Sequence, residues 1–266
     1  MRKDTSFYRD AFVFFVNYCF SDRIVHFTPF APDMVNILLV ATSSDSMPLK
    51  DGTGNHQTGA WLEEIASPYL TFREAGHDVT IASPAGGKIP IDAGSQNGDA
   101  YTAECKQFME DAGCAKLIAE SLSVSAVSTE DFSAIFLAGG HGTYGDFVSN
   151  PELKGVIEGF YQAGKVVSAV CHGQTSLVDC TNAEGEPIVK GATTCCFSDE
   201  EETMVGLAEK VPFMLESRLK ELGAISTCGA AWGSTTQTHK DGKHVLVTGQ
   251  NPASSKACAQ AVVKAL

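Results

Sequence analysis

The sequence predicts an α/β protein built on a largely parallel, doubly wound sheet. Three observations predict it. From Val35 onward, apolar runs of strand length alternate with segments of helical period. The runs lack the polar alternation of a sheet wetted on one side, so both faces need cover. Helices that recur between strands are the connections a parallel sheet requires.

The elements follow in order. "VNILLVAT" (35–42) is the first strand, apolar throughout after Asn36. A long Gly/Ser/Asp-rich loop, "SSDSMPLKDGTGNHQ", comes next. A helix is expected over "TGAWLEEIASPYLTFREAG", with Thr58 as N-cap, Gly76 beyond its C-terminus and Pro68 as a bend. Its apolar face is Trp61, Ile65, Tyr69 and Phe72. "HDVTIAS" (77–83) is the second strand, and one helix is expected over 103–121. The turn "STEDF" leads into the strand "AIFLAGG" (134–140). Asn150 caps a helix that has Pro151 in its first turn and stops at Gly164. "KVVSAV" (165–170) is a strand, as are "ATTCCF" (192–197) and "HVLVTG" (244–249). Helices are expected over 211–223 and after Asn251-Pro252.

At 266 residues the chain can bury a core without disulfides or a structural metal. The net charge of −13 argues against nucleic acid and anionic membranes as partners. Nine cysteines without a C-x-x-C pair argue against a disulfide framework and a zinc site, and point to a reducing cytoplasm. His56, His77 and His141 lack metal-ligand spacing, so neither metal nor cofactor is expected. Residues 1–33 read as an extension, disordered or an over-long start, ahead of a single domain over 34–266. The apolar run Ala11–Phe20 is too short to span a bilayer.

The chemistry is expected at "SAVCHGQ". A strand that turns sharply into a helix pushes the turning side chain outward, and closes only between small residues. Here Ala169 and Gly173 flank Cys171. A helix starting there would lower the thiol pKa, and the His172 N–H would face a developing oxyanion. The glycine-rich loop 139–142 could supply a second donor. The other eight cysteines read as small buried hydrophobes, with Cys195 and Cys196 on opposite faces of a strand. The residues alone leave the base open between His172 and His141. His56 could line a pocket, and His77 and His244 read as surface or strand-edge groups. Glu63 and Glu64 are not separated by helical geometry. In "SDEEE" (198–202), Ser198 or Asp199 could cap a helix.

Five segments in order, "GNHQTGAWLEEIASPY", "AGGHGTYGDF", "AVCHG", "CCFSDEEE" and "LVTGQNPASS", resemble the PfpI-like superfamily, related in fold to class I glutamine amidotransferases. Within it they are most similar to the glyoxalase III branch, which includes stress-inducible chaperone-like proteins. The resemblance covers roughly residues 35 to 266. It implies a flavodoxin-like three-layer sandwich, a homodimer, and a cofactor-free conversion of methylglyoxal and water to lactate. It implies Cys171 as nucleophile, Glu64 against its thiol, and His172 and Glu202 as the rest of a triad. It also implies Gly140 as oxyanion donor and His141 in the pocket wall. Gln174 departs from the proline that many relatives carry after "CHG". A cysteine amidase, peptidase or protein deglycase, a holdase-type chaperone and a redox sensor are the competing readings.

Overall fold

The apolar runs become strands because helices cover both of their faces. The computed structural model describes residues 34–266. The extension expected over 1–33 lies outside the described residues. In chain order the strands are β1 (Asn36–Val40), β2 (Ser46–Pro48), β3 (Asn55–Gln57), β4 (Asp78–Ser83), β5 (Leu122–Ser123), β6 (Ala134–Leu137), β7 (Val166–Val170), β8 (Thr193–Thr194), β9 (Ile225–Ser226), β10 (Thr236–Asp241) and β11 (His244–Gly249). The helices are α1 (Glu63–Glu74), α2 (Ala103–Glu110), α3 (Ala112–Ala119), α4 (Thr143–Asp146), α5 (Pro151–Gln162), α6 (Asp199–Met204), α7 (Leu215–Glu221) and α8 (Ser255–Ala265).

Seven strands form one sheet in the order β10–β11–β7–β6–β1–β4–β5, parallel except for β10. Register alternates the side chains between two cores. Ile37, Leu39, Phe136 and Val247 pack with Ile65 and Phe72 of α1, Phe108 of α2 and Val262 of α8. Leu38, Ile135, Val167 and Leu246 pack with Leu153, Ile157 and Phe160 of α5 and Leu215 of α7. This is the flavodoxin-like three-layer arrangement that the resemblance implied. Among the described residues, no helix is long and apolar enough to cross a membrane.

Several local expectations are corrected. Thr58 does not cap α1, which starts at Glu63; its hydroxyl instead donates to Asp92 Oδ2 at 2.6 Å. Gly76 follows the C-cap Ala75 with φ +87°, as the glycine after a helix should. The segment 103–121 is two helices, because the Asp111 carboxylate accepts the Cys114 N–H at 2.9 Å and caps a second start. The loop 43–57 contains the β2–β3 hairpin. "ATTCCF" contributes only β8, which pairs with β9 outside the main sheet, since β10 already occupies that edge. The segment 211–223 is helical only over Leu215–Glu221; Pro212 disfavours a helical Val211.

Candidate active site

The parallel strands β6 and β7 end side by side, so the loops that follow them meet. Cys171 follows β7 with φ +54°, a left-handed conformation that costs a non-glycine residue roughly 1–2 kcal/mol. The turn is possible because its neighbours have no bulk. A Cβ on Gly173 would lie 2.2 Å from the Leu137 carbonyl oxygen. One on Gly139 would lie 2.7 Å from both the His172 nitrogen and Glu64 Oε2. Gly140 has φ +102°, and a Cβ there would lie 2.3 Å from the Gly59 oxygen. Thr143 Oγ1 spans the two loops, with the Gly140 and His172 carbonyl oxygens each at 3.0 Å.

The structure brings Cys171, His172, Glu202, His141 and Glu64 together. Cys171 Sγ lies 3.3 Å from His172 Nδ1. His172 Nε2 lies 2.8 Å from Glu202 Oε2, and His141 Nε2 lies 2.9 Å from Glu202 Oε1. One carboxylate therefore holds both imidazoles, whose centroids are 4.0 Å apart. A carboxylate only accepts, so His172 carries its proton on Nε2 and turns the lone pair of Nδ1 to the sulfur. Glu202 is presented by α6. Of the two capping candidates, Ser198 is the N-cap, in a reciprocal box with Glu201.

Packing separates the two glutamates that helical geometry could not. Glu64 is fully buried, and its Oε2 accepts the Gly139 N–H at 2.7 Å. Its Oε1 makes no hydrogen bond of standard geometry, and the Cys171 thiol is the polar group that interacts with this carboxyl. Glu63 turns away to the Cys105 thiol at 3.4 Å and to the Thr102 hydroxyl.

Burial raises the Glu64 carboxyl to about 8, against smaller opposing effects of Cys171 and the Gly139 N–H. Burial, with His141 nearby, depresses His172 to about 4. Burial works against ionised Glu202, but the two imidazoles outweigh it and hold the carboxyl at about 2. The Cys171 thiol corrects the expectation of a lowered pKa. Burial and then Glu64 push it well above the ordinary value, and only the His172 N–H works the other way. The element after it is a 3₁₀ run, Cys171–Leu177, rather than an α-helix. The resting sulfur is therefore a thiol, and the thiolate must be made by proton transfer to a neighbour.

Gln174 is fully buried; its Nε2 donates to the Cys195 carbonyl at 2.7 Å, and its Oε1 has no hydrogen-bond partner among the described residues. The Gly140 N–H makes no hydrogen bond among the described residues and stays available. His77 is buried rather than at the surface, and precedes β4 at the opposite end of the sheet. His244 begins β11 at that same end and stacks on Tyr161 at 4.0 Å. His56 lies on β3. The donors of His141, His172 and Glu202 lie within 4.8 Å of one another, a grouping that linear spacing could not reveal. Two hydrogen bonds to Glu202 connect the three.

Three contributors escaped the sequence reading. Phe197 packs with its ring tilted 36° and its centroid 4.5 Å from that of His172, and Tyr144 lies 5.6 Å from the same ring. Trp232, at φ +62°, packs 5.8 Å from Phe197, and its backbone N–H donates to Glu201 Oε1 at 2.8 Å. Trp232 and Trp61 line a cleft of about 580 Å³ beside this wall. The aromatic preceding "SDEEE" was the available signal for Phe197. Trp232 had none, because its place depends on a loop.

An open parallel sheet with a cysteine on a strained turn at its carboxyl edge defines an amidotransferase-like α/β protein. The chain belongs to the DJ-1/PfpI family, whose model matches residues 57–265. It is 30% identical over 239 residues to the glutathione-independent glyoxalase HSP31 of Saccharomyces cerevisiae, covering 86% of this chain and 97% of that one. Among solved structures it is similar to Rapid Encystment Protein 24 KDa of Francisella tularensis, with TM-score 0.79 and 33% identity over 87% of this chain and 99% of that one. It is also similar to glyoxalase III of Candida albicans, with TM-score 0.76 and 28% identity over 88% and 98%.

Proposed function

We propose that the protein is a glutathione-independent glyoxalase that converts methylglyoxal and water to lactate through Cys171. The observation that carries the reading is the Cys171–His172–Glu202 relay with the protonated Glu64 against the same thiol. The likeness to HSP31 and to glyoxalase III supports the choice of substrate.

His172 Nδ1 takes the thiol proton as the sulfur bonds the aldehyde carbon, giving a hemithioacetal. The new oxyanion lies toward the N–H groups of Gly140 and His172. His172 returns that proton to the oxyanion and then removes the hydrogen from the former aldehyde carbon, while the protonated Glu64 gives its proton to the ketone oxygen, forming an enediol. His172 then protonates the former ketone carbon, and the hydroxyl on the sulfur-bearing carbon returns its proton to Glu64, giving a lactoyl thioester and restoring both groups. Water cleaves the thioester, releasing lactate and restoring the thiol. Glu202 keeps His172 in the tautomer that can accept. His141, held by the same carboxylate, fixes Glu202 in turn. The reading extends to a homodimer in the cytoplasm, which light scattering and cell fractionation would test.

A substrate panel tests the reaction class. Methylglyoxal, glyoxal, a glycated peptide and simple amides would be offered to the protein without glutathione. Lactate from methylglyoxal with little turnover of the amides is the expected result. Amide or peptide turnover that exceeds it would overturn the assignment.

A further inference from the structure

We propose that Cys196 and Cys228 are a second redox site, a dithiol that hydrogen peroxide closes to a disulfide. Pairing of β8 with β9 is parallel, with Thr194 opposite Ser226, and the Thr227 N–H continues the ladder to the Thr194 oxygen at 2.8 Å. Two residues further on, Cys196 falls beside Cys228. A step of two keeps both side chains on the face of Thr194 and Ser226. Neighbouring strands lie about 4.8 Å apart, within the Cα separation that a disulfide spans. Cys228 Sγ is 3.4 Å from the Cys196 carbonyl oxygen, and the two thiols interact directly. Both are free cysteines in the structure.

The two members are unequal in the way such a pair requires. Cys228 is partly exposed and receives the Ser226 hydroxyl at 3.5 Å; Cys196 is buried. The Cys196 thiol and this hydroxyl lower Cys228 to about 7, so much of it is thiolate at neutral pH. Cys195 is not an equivalent partner. Its sulfur lies 3.3 Å from the Thr235 and Thr248 carbonyl oxygens, toward the main sheet.

In the first step the Cys228 thiolate attacks peroxide, forms a sulfenic acid and releases hydroxide. In the second, the Cys196 thiol attacks that sulfur and water leaves with its proton. The two sulfurs lose one electron each, and the peroxide gains both. The bond would tie together the bases of two loops that reach the proposed site. Phe197, beside Cys196, packs against His172, and the backbone N–H of Trp232, four residues after Cys228, is hydrogen-bonded to Glu201. In a reducing compartment such a bond is transient, as a sensor needs.

The test treats the full chain with stoichiometric hydrogen peroxide, blocks free thiols under denaturing conditions, and maps non-reduced peptides by mass spectrometry. The expected product is a Cys196–Cys228 crosslink that dithiothreitol releases, that survives in Cys171→Ala and that is lost in Cys228→Ser. Recovery of Cys196 as a blocked free thiol, with Cys228 reduced, over-oxidised or joined to a different cysteine, would overturn the proposal. The wild-type map decides even where Cys228→Ser folds poorly.

Discussion

Replacing Glu64 by glutamine separates stability from catalysis. At pH 7 an unfolded glutamate is ionised, whereas in the fold burial holds this carboxyl at about 8 against an ordinary 4.5. Taking up that proton costs folding about 3 kcal/mol at pH 7 and about 5 kcal/mol above pH 8. Glutamine avoids the cost. Its carbonyl oxygen can still accept the Gly139 N–H, while its amide meets the thiol imperfectly and gives back about 1 kcal/mol. Glu64→Gln should therefore be about 2 kcal/mol more stable than wild type at pH 7, a rise of roughly 4–8 °C in Tm for a domain of this size. The pH dependence is the signature. Below pH 4.5 both folded and unfolded carboxyls are protonated, and the advantage vanishes. Between 4.5 and 8 only the folded chain keeps the proton, so wild-type stability falls relative to the variant as pH rises. Urea denaturation across that range measures the gap. Turnover should fall by about 10²–10⁴-fold, since glutamine carries no transferable proton. A gap that does not widen with pH, or a variant with normal turnover, would refute the reasoning.

Other expectations use the same contacts. Activity should lose its acid limb near pH 4, as His172 takes a proton, and its alkaline limb near pH 8, as Glu64 loses one; a plateau ending at pH 6.5 on the acid side would contradict it. Glu202→Gln offers one acceptor and one donor to two imidazoles that both donate, so one ring must change tautomer. Turnover should fall by about 10²-fold or more where His172 is the ring that changes, and a loss under threefold would count against the relay. Gly173→Ala places a Cβ 2.2 Å from the Leu137 oxygen and should cost about 3 kcal/mol or more in denaturant unfolding.

The sequence made the sheet legible where burial is two-sided. "NILLV" and "VVSAV" have the length and near-continuous apolarity expected of strands covered on both faces, and each lies within a residue or two of its expected bounds. The elbow was legible because a tight turn demands small neighbours, and Ala169 and Gly173 supply them. The choice between Glu63 and Glu64 was not, because it depends on Gly139, seventy-five residues away, offering an N–H to one of them. Short β8 was misread for the same reason: β-branched residues and cysteines mark a strand, but the edge they would join was taken by β10. That hairpin did leave a signal. Asp241 pairs with His244 around Gly242-Lys243, and Gly242 has φ +57°, as a two-residue turn beginning with glycine requires. The sulfur's ionisation was misjudged because position after a strand says nothing of burial. Glu64 and the surrounding core, rather than a helix end, set it.

Lactate formation from methylglyoxal without glutathione, compared between wild type and Cys171→Ala, bears most directly on the central claim that this sulfur bonds the aldehyde. Steady turnover by wild type and only the uncatalysed background in the variant are predicted. Turnover by Cys171→Ala within a few-fold of wild type would contradict the account.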